Sequence, residues 1–125
     1  MDPNEISGQI VDAAIRVHKA LGPGLLENVY RACLAHELQS RGFSVRTEIP
    51  MPVTYGDIRI DLGYRIDMLV EGTVIVELKA LEKVIPVHEA QALTYLKLSG
   101  HRLGLLLNFN VPYLREGIRR IVNNL

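Results

Sequence analysis

Two acidic residues and a lysine fall opposite one another in a predicted β-hairpin. Residues 64–80 read YRIDMLVEGTVIVELKA, and a turn at Glu71-Gly72-Thr73 uses glycine for the left-handed conformation that such turns need. A two-residue turn would put acids on the apolar face, so the three-residue turn is favoured. In that register Asp67 lies across from Glu77, and Lys79 follows on the same face. The apolar face then carries the pairs Val70–Val74, Met68–Val76 and Ile66–Leu78.

This register has an energetic cost, because like charges directly opposite each other in a β-ladder repel. Two arrangements would relieve the repulsion between Asp67 and Glu77. Lys79 and Arg65 can balance the acids on a solvated polar face, or a divalent metal ion can bind between the carboxylates. A Glu-x-Lys triplet is common, so the hairpin alone does not decide between these two interpretations.

A third acid, Glu27, begins a helical row that is otherwise suited to burial. The row continues with Tyr30, Leu34 and Leu38, because residues three or four apart share one helix face. An ion pair with Arg31, four residues further, would contribute only a few tenths of a kcal/mol. Such a pair explains a surface acid but not one in line with the buried row. We therefore predict that Glu27 is directed toward the sheet.

The elements that must position these acids follow the order α-α-β-β-β-α-β-α. Apolar periodicity predicts helices, and β-branched residues punctuated by glycine predict strands. Asn4 is the expected N-cap of the first helix. This order is typical of an α/β domain with helices packed on a central mixed sheet. The predicted helices span residues 2–22, 25–41, 87–100 and 113–125, and the predicted strands lie within 43–81 and 102–110.

Composition limits the class of protein. The 125 residues, 48% of them hydrophobic, suit one domain with its own core. The net charge of +0 means that a nucleic-acid partner must be met by a local basic patch. Cys33 is expected to be a small buried hydrophobe in a reducing cytosol. No apolar run reaches the roughly 18 residues of a membrane span, and the N-terminus lacks a signal-peptide pattern. We expect a single cytoplasmic domain over residues 1–125 that does not contact a membrane.

The hairpin motif resembles the active site of the PD-(D/E)xK nuclease superfamily. Asp67 stands late in one strand, and Glu77-Leu78-Lys79 follows in the next after a gap of nine residues. Ile66 replaces the proline that names the motif, a departure that many members share.

Two further motifs strengthen the resemblance. Gln91 and Tyr95 match the Gln-x-x-x-Tyr motif of the RecB-like branch, and residues 24–30 match the Gly-x-x-Glu-x-x-Tyr signature of the GxxExxY family. Each motif is weak alone, but together they stand in the right order over nearly the whole chain. The resemblance implies a restriction-endonuclease-like core, that is, a central mixed sheet flanked by helices.

The resemblance also implies metal-dependent hydrolysis of a phosphodiester. Asp67, Glu77 and the backbone carbonyl of Leu78 would hold Mg²⁺ or Mn²⁺, since hard cations prefer oxygen ligands. Glu27 would bind the ion directly, through water, or at a second ion. Lys79 would orient or help deprotonate the attacking water and stabilise the transition state.

The helix after the hairpin would complete the site. Gln91 is expected to fix a ligand or the water, and Tyr95 to contact the phosphate or brace Gln91. Basic residues elsewhere would hold DNA or RNA, although they are equally suited to a solvated face. A homodimer or a partner protein could add surface that a neutral monomer lacks. The basic candidates are Arg46, Lys83, Lys97 and Arg102, with Arg115, Arg119 and Arg120 on the last predicted helix.

Two functions from different classes stay open at this stage. One is a metal-dependent nuclease acting on DNA or RNA, which the complete set of motif residues favours. The other is a non-catalytic binding or regulatory module that retains the fold, which the small size and neutral charge favour. No spacing of the histidines with Cys33 builds a zinc site, and Walker and nucleophile-elbow motifs are absent. The histidines are His18, His36, His88 and His101, with His88 the foremost candidate for a site role because it lies one turn before Gln91.

Overall fold

A five-stranded mixed sheet forms the centre of the molecule in the computed structural model, which describes residues 1–125 except for the side chain of residue 62. The strands lie in the order β1-β2-β3-β4-β5. Only β3 and β4 run parallel, and α3 forms the crossover between them. In chain order the elements are α1 (Pro3–Leu21), α2 (Glu27–Ser40), β1 (Val45–Tyr55), β2 (Ile58–Val70), β3 (Val74–Lys79), α3 (Pro86–Ser99), β4 (Leu103–Asn108), a 3-10 turn (Leu114–Gly117) and β5 (Ile118–Val122).

Two apolar clusters cover opposite faces of this sheet. Val76 packs in the larger cluster with α1 and α2, and its neighbour Ile75 packs in the smaller cluster with Leu96 of α3. Adjacent residues of a strand point to opposite faces, so α1 and α2 cover one face and α3 covers the other. None of the described helices is long and apolar enough to cross a membrane.

The α/β architecture is confirmed, but its predicted last helix is wrong. Residues 114–117 form a 3-10 turn, and Ile118–Val122 pairs antiparallel with β4 as an edge strand. Leu114, Ile118 and Ile121 have helical spacing, yet the β-branched run also suits a strand, and pairing with the buried β4 prevails. The order is therefore α-α-β-β-β-α-β-β.

The change from helix to strand separates three arginines that were expected to share one helix. Arg115 lies in the 3-10 turn. Arg119 forms an ion pair with Glu89 of α3, whereas Arg120 donates to Asn4 of α1. Since α3 and α1 lie on opposite faces of the sheet, the three do not form one basic row.

The starts of the first two helices also differ from prediction. Asp2, not Asn4, caps α1, because its Oδ1 accepts from the Glu5 amide at 2.8 Å and Pro3 takes the first helical position. Helix α2 begins at Glu27, two residues later than Leu25. The Leu25 amide is instead held by the hydroxyl of Tyr30 at 3.1 Å.

Candidate active site

The β2–β3 hairpin has the predicted register next to its turn. Val70 pairs with Val74, and Met68 pairs with Val76. The three-residue turn is confirmed, with Gly72 at φ 62° and Glu71 at φ 55°. Glu77 follows Val76 and therefore lies on the opposite face, which α3 covers. The prediction that the acids point away from the face of Met68 and Val76 is confirmed for Glu77.

Side-chain hydrogen bonds replace the backbone ladder at the two acids. The Asp67 amide donates to Oε1 of Glu77 at 3.4 Å, and the Leu78 amide donates to Oδ2 of Asp67 at 2.9 Å. Regular pairing of β2 with β3 stops at Met68 and Val76. The two carboxylates thus cross-link the strands at the point where the strands separate.

Ile66 shows the consequence of this interruption. The alternating pattern placed Ile66 on the face of Met68, opposite Leu78, but the structure packs it with Leu69 and Ile75 on the α3 side. That prediction is wrong. The alternation of β2 breaks at Asp67, where side chains replace the ladder, and a simple period-two pattern does not anticipate such a break.

Glu77 is almost completely buried, with 5% of its surface exposed. Burial is the main cause that raises its pKa to about 9, and the neighbouring charge of Asp67 adds to the rise. The charge of Lys79 acts in the opposite direction but more weakly. Glu77 therefore holds a proton at neutral pH unless another cation offsets the charge of the pair.

The surrounding cations do not neutralise the two acids as an ionic network. Ion pairs among the described residues do not include Lys79, which is half-buried at the end of β3. Arg65 is exposed and approaches Glu48 at 3.9 Å. The salt-bridged polar face, one of the two interpretations of the hairpin, therefore lacks its expected contacts.

Glu27 reaches the end of β3 from α2. Its Oε1 accepts from the amide of Ala80 at 3.4 Å, one residue beyond Lys79. Arg31 binds Glu48 at 2.7 Å, so the intrahelical pair considered for Glu27 is not the one that forms. Glu27 also lines an open cavity of about 470 Å³ together with Arg31 and Ala80. The predicted orientation of Glu27 toward the sheet is confirmed.

The three acids do not form one tight cluster. No group of three or more His, Cys, Asp or Glu side chains among the described residues is arranged to hold a metal ion. Asp67 and Glu77 are in contact through their hydrogen bonds, while Glu27 stands at Ala80. A shared site for all three acids stays a prediction.

Tyr30 anchors the loop between α1 and α2. Its hydroxyl donates to the Gly22 carbonyl at 2.6 Å and accepts from the Leu25 amide, and its ring stacks on Phe109 with centroids 4.4 Å apart. The tyrosine thereby ties the loop between α1 and α2 to the core. Glu27 is the first residue of α2, directly after this loop. The contacts of Tyr30 therefore help to fix the position of Glu27.

Helix α3 brings Tyr95 near the acids. Burial, assisted by the charge of Glu77, raises the pKa of Tyr95 to about 12. Its ring packs against Tyr64 of β2 at 4.9 Å between centroids. Gln91 is exposed one turn earlier, and the hydrogen bonds of the two acids run to backbone amides rather than to it. The roles predicted for Gln91 and Tyr95 stay predictions.

Asn108 is a positioning residue that sequence reasoning missed. It is 2% exposed, and its side chain binds both the amide and the carbonyl of Leu81, at 3.0 and 2.9 Å. The next amide, that of Phe109, donates to the Lys79 carbonyl at 2.9 Å. The chain after Lys79 is therefore clamped to the end of β4. The available signal was one amide side chain ending the apolar run LGLLLN.

Three of the histidines and the cysteine make structural contacts. His88 accepts from the Ile85 amide at 3.0 Å and so caps α3 rather than joining the acids. His18 is buried, with Nε2 2.9 Å from the Val111 carbonyl, and His101 binds Ser99. Cys33 is a free, half-buried cysteine packed against the larger apolar cluster.

The basic candidates are exposed and lie on different elements. Arg102 donates to the Asn124 carbonyl, and Arg46 lies on β1. Lys83 lies between β3 and α3, and Lys97 in the last turn of α3. These four basic residues therefore do not share one element.

Comparison with known proteins identifies a family for this arrangement. A family model described as PD-(D/E)XK nuclease superfamily matches residues 4–121, a range that includes every acid of the site. No individual curated protein and no solved structure gives a significant match. The mixed sheet flanked by helices agrees with the restriction-endonuclease-like core that the superfamily shares.

Proposed function

The chain belongs to the PD-(D/E)XK nuclease superfamily, and from that premise we propose that it hydrolyses phosphodiester bonds of DNA or RNA with a bound divalent metal ion. The observation that carries the proposal is the Asp67–Glu77 pair. Each carboxylate accepts from a backbone amide at the place where β2 and β3 separate. Burying Glu77 beside the charge of Asp67 costs stability, and such a cost is typical of a functional site.

The donor set of this pair suits Mg²⁺ or Mn²⁺. Both ions prefer carboxylate oxygens, and a cation beside Glu77 would offset the burial and repulsion that raise its pKa. Asp67 and Glu77 would hold the ion, with the Leu78 carbonyl as a further ligand. Glu27 would bind directly, through water or at a second ion. When bound, the ion would lower the pKa of a coordinated water and offset negative charge on the phosphate.

Lys79 would act on the reacting atoms. It follows Glu77 by two residues on the same strand, and it is half-buried without an ion pair among the described residues. The lysine side chain at that position would orient or help deprotonate the attacking water and stabilise charge that develops in the transition state.

Residues of α3 would complete the site. The pKa of Tyr95, raised to about 12, keeps its hydroxyl protonated and able to donate to a phosphate oxygen or to Gln91. Gln91, exposed on the same helix, would fix the water or a ligand.

A narrower relationship accompanies this function. We propose that the chain is a GxxExxY protein of the RecB-like branch, because Gly24, Glu27 and Tyr30 match the first signature and Gln91 and Tyr95 the second. Residues 1–125 would act as a single cytoplasmic domain, alone, as a homodimer or with a partner protein.

A non-catalytic module that keeps the fold is the second candidate. It is favoured by one observation, that the described residues do not gather three ligands around one point. Such a module would bind nucleic acid or a partner without turnover.

Metal titration followed by a nuclease assay tests the proposal. Calorimetry should detect Mn²⁺ or Mg²⁺ binding to the wild type and much weaker binding to Glu77→Gln. Labelled single- and double-stranded DNA and RNA should then be cleaved by the wild type alone. Metal binding without cleavage of any substrate would support the module, and absence of both would contradict the nuclease.

A further inference from the structure

A second cavity lies apart from the acids, between the last turns of α1 and the 3-10 turn that precedes β5. Its volume is about 570 Å³, within the range of roughly 300–1,000 Å³ that is usual for small-molecule sites. Apolar groups form much of its wall, among them Ile15, Pro23 and Leu114. None of the proposed metal ligands lines it.

The charge of this cavity is positive. Lys19 and Arg115 line it, and its described lining residues include no Asp or Glu. The whole chain carries 14 basic and 14 acidic residues, so this local excess is not a general property of the surface. A site with an apolar wall and two cations is complementary to a ligand with an apolar body and an anionic group.

An exposed aromatic ring lines the same cavity as the two cations. Tyr113 is 64% exposed, and the guanidinium carbon of Arg115 lies 5.7 Å from the centroid of its ring. An exposed ring next to basic side chains is the combination that single-stranded nucleic-acid sites use, with a base stacked on the ring and phosphates held by the cations. Bases within a duplex are already stacked and do not offer a free face.

His18 contributes a polar atom to the same cavity. Its Nε2 lies 2.9 Å from the Val111 carbonyl, which only accepts, so Nε2 carries a hydrogen and Nδ1 is the acceptor in the tautomer that matches this contact. Every buried side-chain nitrogen or oxygen among the described residues has a partner. Nδ1 has none and therefore contacts solvent, on a residue that lines the cavity. It can accept from an N–H group on the edge of a base.

We propose that this cavity binds one unpaired nucleotide of a single-stranded nucleic acid. The base stacks on Tyr113 with an N–H at His18, and Lys19 and Arg115 hold its phosphate. The inference rests on the proposed nuclease function and specifies the form of its substrate. Pro23 lines the cavity and Glu27 lies four residues further, so their Cα atoms are at most about 14 Å apart. A short nucleic-acid strand bound in the cavity can therefore also reach Glu27.

Binding in the absence of turnover tests the inference. Fluorescence anisotropy in EDTA would measure the affinity of the full chain for labelled oligo-dT, oligo-rU and a mixed-sequence duplex. Single strands should bind more tightly than the duplex, and the two homopolymers distinguish DNA from RNA. Tyr113→Ala should weaken single-strand binding about tenfold, whereas Tyr113→Phe should retain it, because stacking needs only the ring.

The cations provide a matched comparison on one helix. Lys19→Ala should weaken binding and reduce its dependence on salt concentration, because each phosphate contact releases counterions. Arg16→Ala is the control, since Arg16 lies one turn earlier on α1 and lines a different cavity. Equal effects of the two variants would overturn the inference. So would equal affinity for duplex and single strand, or full affinity in Tyr113→Ala.

A metal-site variant separates this inference from the nuclease proposal. Glu77→Gln should lose cleavage but keep binding that depends on Tyr113. If the wild type binds single strands through Tyr113 but cleaves nothing, the cavity stands and the nuclease proposal fails. If it cleaves nucleic acid and Tyr113→Ala leaves affinity unchanged, the cavity proposal alone fails.

Discussion

The acid pair and the basic cavity place their charges in opposite environments. Asp67 and Glu77 lie close together at the sheet, where Glu77 is buried and the charge of Asp67 adds to the rise in the pKa of Glu77. Tyr113 and Arg115 lie at the surface, where water solvates their polar groups. The arrangement of the acid pair therefore lowers the stability of the fold, whereas the exposed side chains of the cavity lower it hardly at all. Substitutions should affect folding and function together at the acids and function alone at the cavity.

The largest expected effect concerns Lys79. Lys79→Ala should lower the cleavage rate about 10²- to 10³-fold, roughly 3 to 4 kcal/mol, because it removes a group that acts only in the transition state. Metal affinity should stay the same or rise, since a positive charge leaves the site. Single-turnover kinetics and calorimetry measure the two quantities. Arg65→Ala on the paired strand is the control and should leave the rate unchanged, because Arg65 is directed to Glu48. A lower melting temperature with an unchanged cleavage rate per folded molecule would mean that Lys79 has a structural role only.

Glu77 should make the metal-free protein less stable as the pH rises. Its pKa rises from 4.5 in the unfolded chain to about 9 in the folded one, so the unfolded state releases its proton first. The free energy of unfolding therefore falls as the pH rises between these values, and the loss reaches about 3 kcal/mol near neutral pH. Urea unfolding in EDTA across that range measures the slope. Glu77→Gln should flatten the slope, and an identical slope in both proteins would contradict the buried, strained acid.

Divalent metal should stabilise the fold by mass action. At a concentration 100 times the dissociation constant, binding adds about 2.7 kcal/mol and should raise the melting temperature by several degrees. Asp67→Asn should abolish this rise. Tyr113→Ala should retain it in full, because the cavity contains no acid among its described lining residues. Thermal scans with and without Mn²⁺ make the comparison. A rise that persists in Asp67→Asn would place the metal elsewhere.

The smallest effect is expected at Tyr30. Tyr30→Phe keeps the ring that stacks on Phe109 but loses the hydroxyl that binds Gly22 and Leu25. The loss should cost about 1 kcal/mol of unfolding free energy. It should also reduce turnover modestly, because the loop that Tyr30 holds leads directly to Glu27 at the start of α2. Tyr113→Phe is the matched control and should change neither quantity. Chemical unfolding and initial rates measure both.

Local pattern was sufficient to predict the part of the hairpin next to its turn. Alternation of apolar residues is a strong constraint, and only a turn at residues 71–73 satisfies it, so Val70–Val74 and Met68–Val76 follow. The break at Asp67 is different, because it arises from hydrogen bonds between side chains and backbone across two strands. No spacing in the sequence encodes those contacts.

The C-terminal segment shows where pattern alone is insufficient. The apolar spacing of Leu114, Ile118 and Ile121 fits a helix, while β-branched residues fit a strand. The open edge of β4 decides between them, and that edge exists only in the folded sheet. The cavity at Tyr113 depends on the same segment and therefore could not be predicted from the sequence. Asn108 was out of reach as well, because its clamp on Leu81 joins residues 27 apart.

Calorimetric titration of Mn²⁺ into the wild type and into Glu77→Gln tests the central claim most directly. Asp67 and a Glu77 that has a raised pKa should bind the ion in the wild type, with release of a proton that grows as the pH falls below about 9. Repeating the titration in buffers of different ionisation enthalpy detects that proton. Glu77→Gln should bind the ion much more weakly and release no such proton. Equal affinity in the two proteins would contradict a metal site built on the acid pair.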